Sequence, residues 1–150
     1  MSLPAYELRR FVYDQIVATG TPPRSEEIGA HFGVNAATAR ASLAELRIGK
    51  SLLVHPAPDG EIWMMGPFAS APTAYRVLGH GRTWFANCAW DMLGIPALLG
   101  EPVDIAAECA DSGRPMRMHV DPEAGPESEA EWVVHFLVPA RRWYDDIGFT

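Results

Sequence analysis

Residues 81–100 of the chain, GRTWFANCAWDMLGIPALLG, combine closely spaced apolar side chains with a cysteine and an aspartate. The spacing of the apolar residues predicts a helix over residues 83–93. Gly94 and Pro96 are expected to end it, because glycine often terminates helices and proline lacks the N–H that a continuing helix needs. The stretch therefore predicts a helix in the second half of the chain.

The segments around this predicted helix alternate apolar and polar residues, a pattern that is typical of strands. Gly113 can supply the positive backbone angle of a hairpin turn between two of them. Residues 121–131 are polar and predict a loop. This order of elements favours the α+β class. The predicted strands are 75–78, 103–109, 114–120 and 132–138, and a further helix is predicted to open over 140–146.

The first 65 residues predict three helices followed by a hairpin, which is the order of elements in a winged helix-turn-helix. Gly20 is expected to end the first helix, and Ser25 and Asn35 are expected to cap the second and the third. The fold class is therefore α+β, with an amino-terminal winged-helix-like three-helix unit. The predicted helices are 4–19, 25–33 and 36–48, and the predicted hairpin strands are 52–55 and 62–65.

Residues 66–72, GPFASAP, are small or proline-rich and break the apolar periodicity. They predict a boundary between a winged-helix-like packing domain, residues 1–65, and a mixed α/β domain, residues 66–150. The first domain holds seven acidic and six basic residues, whereas a DNA reader usually has a basic face. A winged-helix transcriptional regulator that reads DNA through residues 36–47 is therefore less favoured than a packing role.

The composition is that of an ordinary globular protein, since 48% of the 150 residues are hydrophobic and 21% are charged. A formal net charge of −7 disfavours general attraction to nucleic acid or to an anionic membrane. No apolar run reaches the roughly 20 residues that span a bilayer, and the amino terminus lacks a secretory pattern. A cytoplasmic location is expected, where Cys88 and Cys109 would remain free thiols.

Cys88 and Asp91 are three residues apart, about one turn of the predicted helix, so their side chains are expected on one face. A thiol and a carboxylate would then share one site. The same spacing also fits a cysteine that is simply a small buried apolar residue, and both interpretations stay open on spacing alone. Burial would raise the pKa of the carboxyl. The apolar neighbours expected around it are Trp84, Phe85, Trp90 and Met92.

The stretch that begins at Cys88 closely resembles the core of the organomercurial (alkylmercury) lyases, in which a Cys-x-x-Asp helix is followed by an apolar run containing proline. Here that run is residues 95–100, IPALLG. The predicted hairpin, with its Cys109-x-x-x-Gly-x-Pro pattern, is also similar to the family. The resemblance covers about residues 5–150 and is specific from about 65 to 120. It implies a carboxyl-terminal unit of the organomercurial lyase type, beside a winged-helix-like unit that does not bind DNA.

The resemblance implies an enzyme that performs protonolysis of carbon–mercury bonds. In that interpretation the Cys88 thiolate attacks mercury, because this soft metal prefers sulfur ligands. Asp91 takes the thiol proton and returns it to the departing carbon. Cys88 and Asp91 would thus be the catalytic residues and would also hold mercury as substrate and product. The expected partners are an organomercurial small molecule and low-molecular-weight free thiols as co-reactant, with no resident cofactor.

The chain departs from the family pattern in one respect. Active lyases use a second cysteine further along, and no cysteine follows Cys109. By the resemblance, Cys109 is a structural cysteine buried in a strand, so Cys88 is expected to be alkylated first. The missing cysteine fits either a form that lacks the tail or a divergent member with altered activity. The alternative from another class is a non-catalytic protein that binds mercury or another soft metal through Cys88 and Asp91.

Overall fold

The computed structural model describes residues 2–48, 54–127, 132–143 and 145. Helices and antiparallel strands occur together in it, which confirms the predicted α+β class. None of the described helices is long and apolar enough to cross a membrane. In chain order the elements are α1 (Ala5–Thr19), α2 (Ser25–Phe32), α3 (Ala36–Ile48), β1 (Val54–Pro56), β2 (Ile62–Met65), β3 (Phe68–Ala69), β4 (Arg76–Gly79), β5 (Arg82–Ala86), α4 (Ala89–Leu99), β6 (Val103–Glu108), β7 (Pro115–Asp121), β8 (Gly125–Glu127) and a short 3-10 turn (Ala140–Arg142).

The described strands form one antiparallel sheet in the order β1-β2-β3-β5-β4-β6-β7-β8. This sheet passes through the predicted boundary at residues 66–72, because β3 lies inside that segment. Phe68 of β3 is paired with Met65 of β2 on one side and with Ala86 of β5 on the other. Strands from both halves therefore share one hydrogen-bonded sheet, while the division into two domains stays a prediction.

Helix α1 contributes to a core that both halves share. Its residues Leu8, Val12 and Ile16 lie on one face of the helix, and each is at most 1% exposed. Full burial of a side chain of this size contributes about 1.5–3 kcal/mol. Trp84 of β5 is buried in the same core. The first helix therefore packs against the strand that leads to the Cys88 region.

Several predicted elements are confirmed by the structure. Helix α1 ends before Gly20, and Asn35 caps α3 by accepting the Thr38 N–H over 2.8 Å. Three helices precede the β1–β2 hairpin, as predicted, although residues 52 and 53 of the predicted first hairpin strand lie outside the described residues. Strands β4, β6 and β7 match their predicted bounds to within one residue, and Gly113 has the expected positive φ of +67°.

The predicted cap of α2 is wrong. Ser25 is the first residue of the helix, and Arg24 occupies the cap position. The main-chain N–H of Ser25 instead donates to the buried carboxylate of Glu61, over 2.8 Å. A carboxylate from the β1–β2 hairpin thus satisfies one of the free N–H groups at the helix start, so the serine hydroxyl is not needed there.

The predicted helix over residues 83–93 begins too early. Residues Arg82–Ala86 form β5, in which Trp84 pairs with Val77 of β4 and Phe85 pairs with Ala69 of β3. Hydrogen-bonding partners on both sides, together with the β preference of aromatic side chains, favour a strand at this position. The helix starts only after the chain has left the sheet.

The end of that helix was also predicted wrongly. Helix α4 continues through Gly94 and Pro96 and ends at Gly100, which has a left-handed φ of +70°. Pro96 removes one hydrogen bond inside the helix, but its ring is fully buried, and burial of apolar surface offsets part of that loss. Gly100 therefore takes the terminating role that was expected of Gly94 and Pro96.

The carboxyl-terminal segment differs most from expectation. Residues 132–138 form no strand, and the predicted loop at 121–131 contains β8 in its described part. Strand β8 pairs with β7 and so occupies the place beside β7 that a strand at residues 132–138 would otherwise take. In place of the predicted helix over 140–146, the described residues contain the short turn Ala140–Arg142.

Candidate active site

The loop between β5 and α4 is held in place by main-chain hydrogen bonds. The N–H of Ala86 donates to the carbonyl of Tyr75 over 2.9 Å, and its carbonyl accepts the Thr73 hydroxyl over 2.7 Å. The next N–H, that of Asn87, donates to the carbonyl of Pro67 over 3.3 Å. Cys88 then follows with an extended backbone and is the cap residue of α4. The position of the thiol is therefore set by a strand-to-helix turn.

Cys88 and Asp91 are brought together at the start of α4. The Cys88 Sγ lies 3.5 Å from the Asp91 Oδ2, and the thiol donates a hydrogen bond to the carboxylate. The two side chains meet because Cys88 precedes the helix and Asp91 is its third residue, positions that cap interactions commonly join. The predicted proximity is correct, although Cys88 is a cap residue and not part of a helix face.

The environment of Asp91 favours its protonated form. Burial raises the pKa of the carboxyl, and hydrogen bonds from the side chains of Cys88 and Asn87 only partly oppose this effect. The direction agrees with the expectation drawn from its apolar neighbours. Asp91 is therefore a stronger base than an exposed aspartate, and it holds a proton more readily once it has received one.

The thiol of Cys88 is also difficult to ionise. Burial raises its pKa, and the nearby charge of Asp91 acts in the same direction. The main-chain N–H groups of Trp90 and Asp91 lower the pKa of this thiol, but by less. Burial thus raises the pKa of both members of the pair, and the thiol proton is directed at a carboxylate that can accept it.

The apolar surroundings of the pair are less uniform than expected. Trp84 and Met92 are buried and Phe85 is half-buried, but Trp90 is 60% exposed. Its ring packs at 6.5 Å, centroid to centroid, from that of Phe136 in the carboxyl-terminal segment. Trp90 therefore lies at the surface near the start of α4 and not in the core.

A residue that sequence reasoning missed is Tyr13 of α1. Its hydroxyl donates to the carbonyl of Gly66 over 2.6 Å, next to the Pro67 that binds the Asn87 N–H. Burial raises the pKa of Tyr13, and the charge of Asp91 adds to that rise. No local sequence signal could connect these residues, because they come from opposite halves of the chain.

Cys109 is not the buried strand residue that the resemblance implied. It follows β6, in the turn before β7, and it is half-exposed. Hydrogen bonding from the Ser112 side chain, with main-chain N–H groups of Ser112 and Asp111, lowers the pKa of this thiol. The pKa of the Cys109 thiol is therefore lowered while that of Cys88 is raised, and the order in which they are alkylated stays a prediction. Among the described residues, no group of three His, Cys, Asp or Glu side chains is arranged to hold a metal ion.

The segment that contains the thiol and the carboxyl matches a known family. A family model described as alkylmercury lyase (MerB) matches residues 68–149, more than half of the chain. The chain belongs to the alkylmercury lyase family. The match includes the loop and helix that carry Cys88 and Asp91, as well as the β6–β7 hairpin with Cys109, whereas Tyr13 and α1 lie outside it.

The chain also resembles curated alkylmercury lyases. That of Pseudomonas putida is 33% identical over 93 residues, which cover 58% of this chain and 44% of the relative. That of Staphylococcus epidermidis is 40% identical over 52 residues, which cover 35% of this chain and 24% of the relative. The match therefore spans less than half the length of these alkylmercury lyases.

A solved structure shows the same fold. The mercury-bound form of MerB2 superposes with a TM-score of 0.64 over 84% of this chain and 60% of that chain, at 23% sequence identity. The helices and the antiparallel sheet of this alkylmercury lyase family member are thus arranged as in a known structure.

Proposed function

We propose that this protein is an organomercurial lyase that cleaves carbon–mercury bonds by protonolysis, with Cys88 as the nucleophile and Asp91 as the acid–base group. The observation that carries the proposal is the contact of 3.5 Å between the Cys88 thiol and the Asp91 carboxylate, inside the segment that the family model matches.

The first step joins the substrate to sulfur. The Cys88 thiol passes its proton to the Asp91 carboxylate, and the sulfur displaces the outgoing ligand of an organomercurial R–Hg–X. A sulfur–mercury bond forms and the Hg–X bond breaks, with its electron pair leaving on X. Mercury favours this exchange because it is a soft ion that prefers thiolate.

The second step breaks the carbon–mercury bond. Its electron pair remains on carbon, which takes the proton from Asp91 and leaves as R–H. Hg(II) stays on the Cys88 sulfur beside the carboxylate that has just been regenerated. The burial that raises the pKa of Asp91 keeps this proton on the protein until carbon can accept it.

Removal of Hg(II) needs another thiol. Among the described residues, Cys88 is the only cysteine next to Asp91. Cys109 follows β6, and β4 lies between β6 and the strand β5 that leads to Cys88. Low-molecular-weight thiols are therefore proposed as the co-reactant that carries mercury away. The same observation supports a second candidate, a non-catalytic protein that binds mercury through Cys88 and Asp91 without cleaving carbon.

Benzene release from a phenylmercury compound, measured by gas chromatography with excess free thiol, separates these functions. We expect Asp91→Asn to keep one phenylmercury per chain while benzene release falls about a hundredfold or more, as for loss of a general acid. Cys88→Ala should lose both binding and cleavage. Cys109→Ser is the matched control and should retain both.

Two results would decide against the lyase. Stoichiometric binding through Cys88 without benzene release, even with excess thiol, assigns the protein to the binding class. If Cys88→Ala still releases benzene, Cys88 is not the nucleophile and the proposed site is wrong.

A further inference from the structure

Two hydrogen bonds connect Tyr13 of α1 to the main chain that precedes Cys88. The Tyr13 hydroxyl donates to the carbonyl of Gly66 over 2.6 Å, and the carbonyl of Pro67 accepts the Asn87 N–H over 3.3 Å. Gly66 and Pro67 are neighbours in the turn between β2 and β3, and Asn87 is followed directly by Cys88. A side chain of the first helix is thus linked to the residue that carries the thiol.

The link between these two hydrogen bonds is short and stiff. The Gly66 carbonyl belongs to the planar peptide unit that it shares with Pro67, and the proline ring fixes the φ angle of Pro67. Only the ψ angle of Pro67 can turn between the carbonyl that Tyr13 holds and the carbonyl that Asn87 uses. Because 3.3 Å is long for a main-chain hydrogen bond, a small shift of Pro67 would be enough to break it.

The ring of Tyr13 is itself held in place. It is half-buried, its centroid lies 6.3 Å from that of Phe68, and the guanidinium carbon of Arg9 lies 5.7 Å from the same centroid. Burial raises the pKa of the Tyr13 hydroxyl, so it remains a donor at neutral pH. Phenylalanine keeps the ring and removes only this donor, so Tyr13→Phe isolates the hydrogen bond.

We propose that Tyr13 is a positioning residue, which holds the Cys88 thiol against the Asp91 carboxylate through the turn at Gly66 and Pro67 and the main chain of Asn87. The contact that it maintains is the 3.5 Å contact between the Cys88 Sγ and the Asp91 Oδ2. Misplacement of reacting groups by about 1 Å can lower a rate about a hundredfold, so a hydroxyl that acts through the main chain can control proton transfer. The purpose of this role rests on the proposed function, but the hydrogen bonds exist without a substrate.

Alkylation of Cys88 tests this role without any cleavage of substrate. If Tyr13→Phe releases the turn, the thiol moves away from the Asp91 charge and towards solvent, and its pKa falls. Iodoacetamide should then label Cys88 about three to ten times faster at neutral pH, while the rate at Cys109 stays the same. In an Asp91→Asn chain, Tyr13→Phe should have a smaller effect on Cys88, because the charge from which the thiol moves away is absent.

Two controls separate positioning from a general loss of stability. Tyr6→Phe removes a hydroxyl from the same helix at a 76% exposed position, and Glu61→Gln weakens the fold at the Ser25 N–H that Glu61 accepts. Neither should change the alkylation rate of Cys88. Tyr13→4-aminophenylalanine keeps a donor at the end of the ring and should restore most of the slow labelling.

Benzene release from phenylmercury gives the functional measure. Tyr13→Phe should slow it about tenfold at unchanged phenylmercury stoichiometry, and it should lower kcat more than it raises KM, whereas Tyr6→Phe should change neither.

A Cys88 labelling rate that does not rise in Tyr13→Phe, or that rises equally with and without the Asp91 charge, would overturn the proposal whether or not the protein cleaves phenylmercury. Conversely, a chain in which Cys88 responds as expected but which releases no benzene would support the positioning role and refute the lyase.

Discussion

The indole N–H of Trp84 donates a hydrogen bond to the main-chain carbonyl of Ile16 over 3.0 Å and joins β5 to the end of α1. The end of α1 and β5 are also in close contact at Gly20. A side chain there would not fit, because a Cβ added to Gly20 would lie only 2.9 Å from the carbonyl oxygen of Thr83. Because β5 leads directly into Asn87 and Cys88, the first helix supports the strand on which the site depends.

Trp84→Phe should reduce the free energy of unfolding by about 1–3 kcal/mol, because it removes this hydrogen bond and leaves a space in the core. Urea unfolding followed by circular dichroism measures the loss. Trp90→Phe is the matched control at a 60% exposed position and should change the stability by less than about 0.5 kcal/mol. Equal effects at both positions would contradict the structural role of the Trp84–Ile16 contact.

Cys109 should react with iodoacetamide before Cys88 at neutral pH. The pKa of the Cys109 thiol is lowered by hydrogen bonding in its turn, while burial raises that of Cys88, and only the thiolate is alkylated. Mass spectrometry of Cys88→Ser and Cys109→Ser chains gives the two rates separately. The alkylation rate at Cys88 should continue to rise with pH at values where the rate at Cys109 has levelled off. Faster labelling of Cys88 than of Cys109 at neutral pH would contradict this prediction.

Glu61 should make the stability depend on acid pH. Its burial raises the pKa, but hydrogen bonds from Ser25 and Arg40 together outweigh this effect and lower it. A lowered folded pKa gives stability that is present above the unfolded value of about 4.3 and is lost as the pH falls through the folded value.

Glu61→Gln should therefore destabilise the chain by about 1–3 kcal/mol at pH 7, and the difference from the unmutated chain should shrink below about pH 4. Urea unfolding at a series of pH values measures it. Glu108→Gln, at an exposed position, is the control and should have little effect. A difference that stays constant down to pH 3 would show that the charge of Glu61 is not responsible.

Helix α3, which would be the recognition helix of a winged-helix regulator, should not bind DNA in this protein. Arg40 donates to Glu61 over 2.9 Å and lies 3.9 Å from Glu26, so its charge is already compensated within the protein. We expect no sequence-specific gel shift with DNA from the region upstream of the gene at 150 mM salt, about the physiological ionic strength. A salt-sensitive shift that disappears in Arg40→Ala with Arg47→Ala would contradict the packing role.

Elements whose stabilisation is local were predictable from the sequence. The Asn35 cap of α3 and the Gly113 turn depend on residues within a few positions of each other, and both are present. The strands β6 and β7 are close in the chain and pair with each other, and the sequence predicts both of them. The predicted helix begins too early, at residue 83, because Trp84 and Phe85 also fit an apolar helix pattern. Only the pairing with β3 and β4 on either side shows that these two residues belong to a strand.

The sequence by itself determined that the side chains of Cys88 and Asp91 would lie close together, because a separation of three residues brings two side chains together either along a helix face or between a cap and the first turn. Only the tertiary structure decided what surrounds them. Tyr13, Pro67 and the burial that raises the pKa of Asp91 come from chain segments that meet through the sheet and the core. Contacts of this kind depend on how distant segments pack, and the local periodicity of a chain carries no information about them.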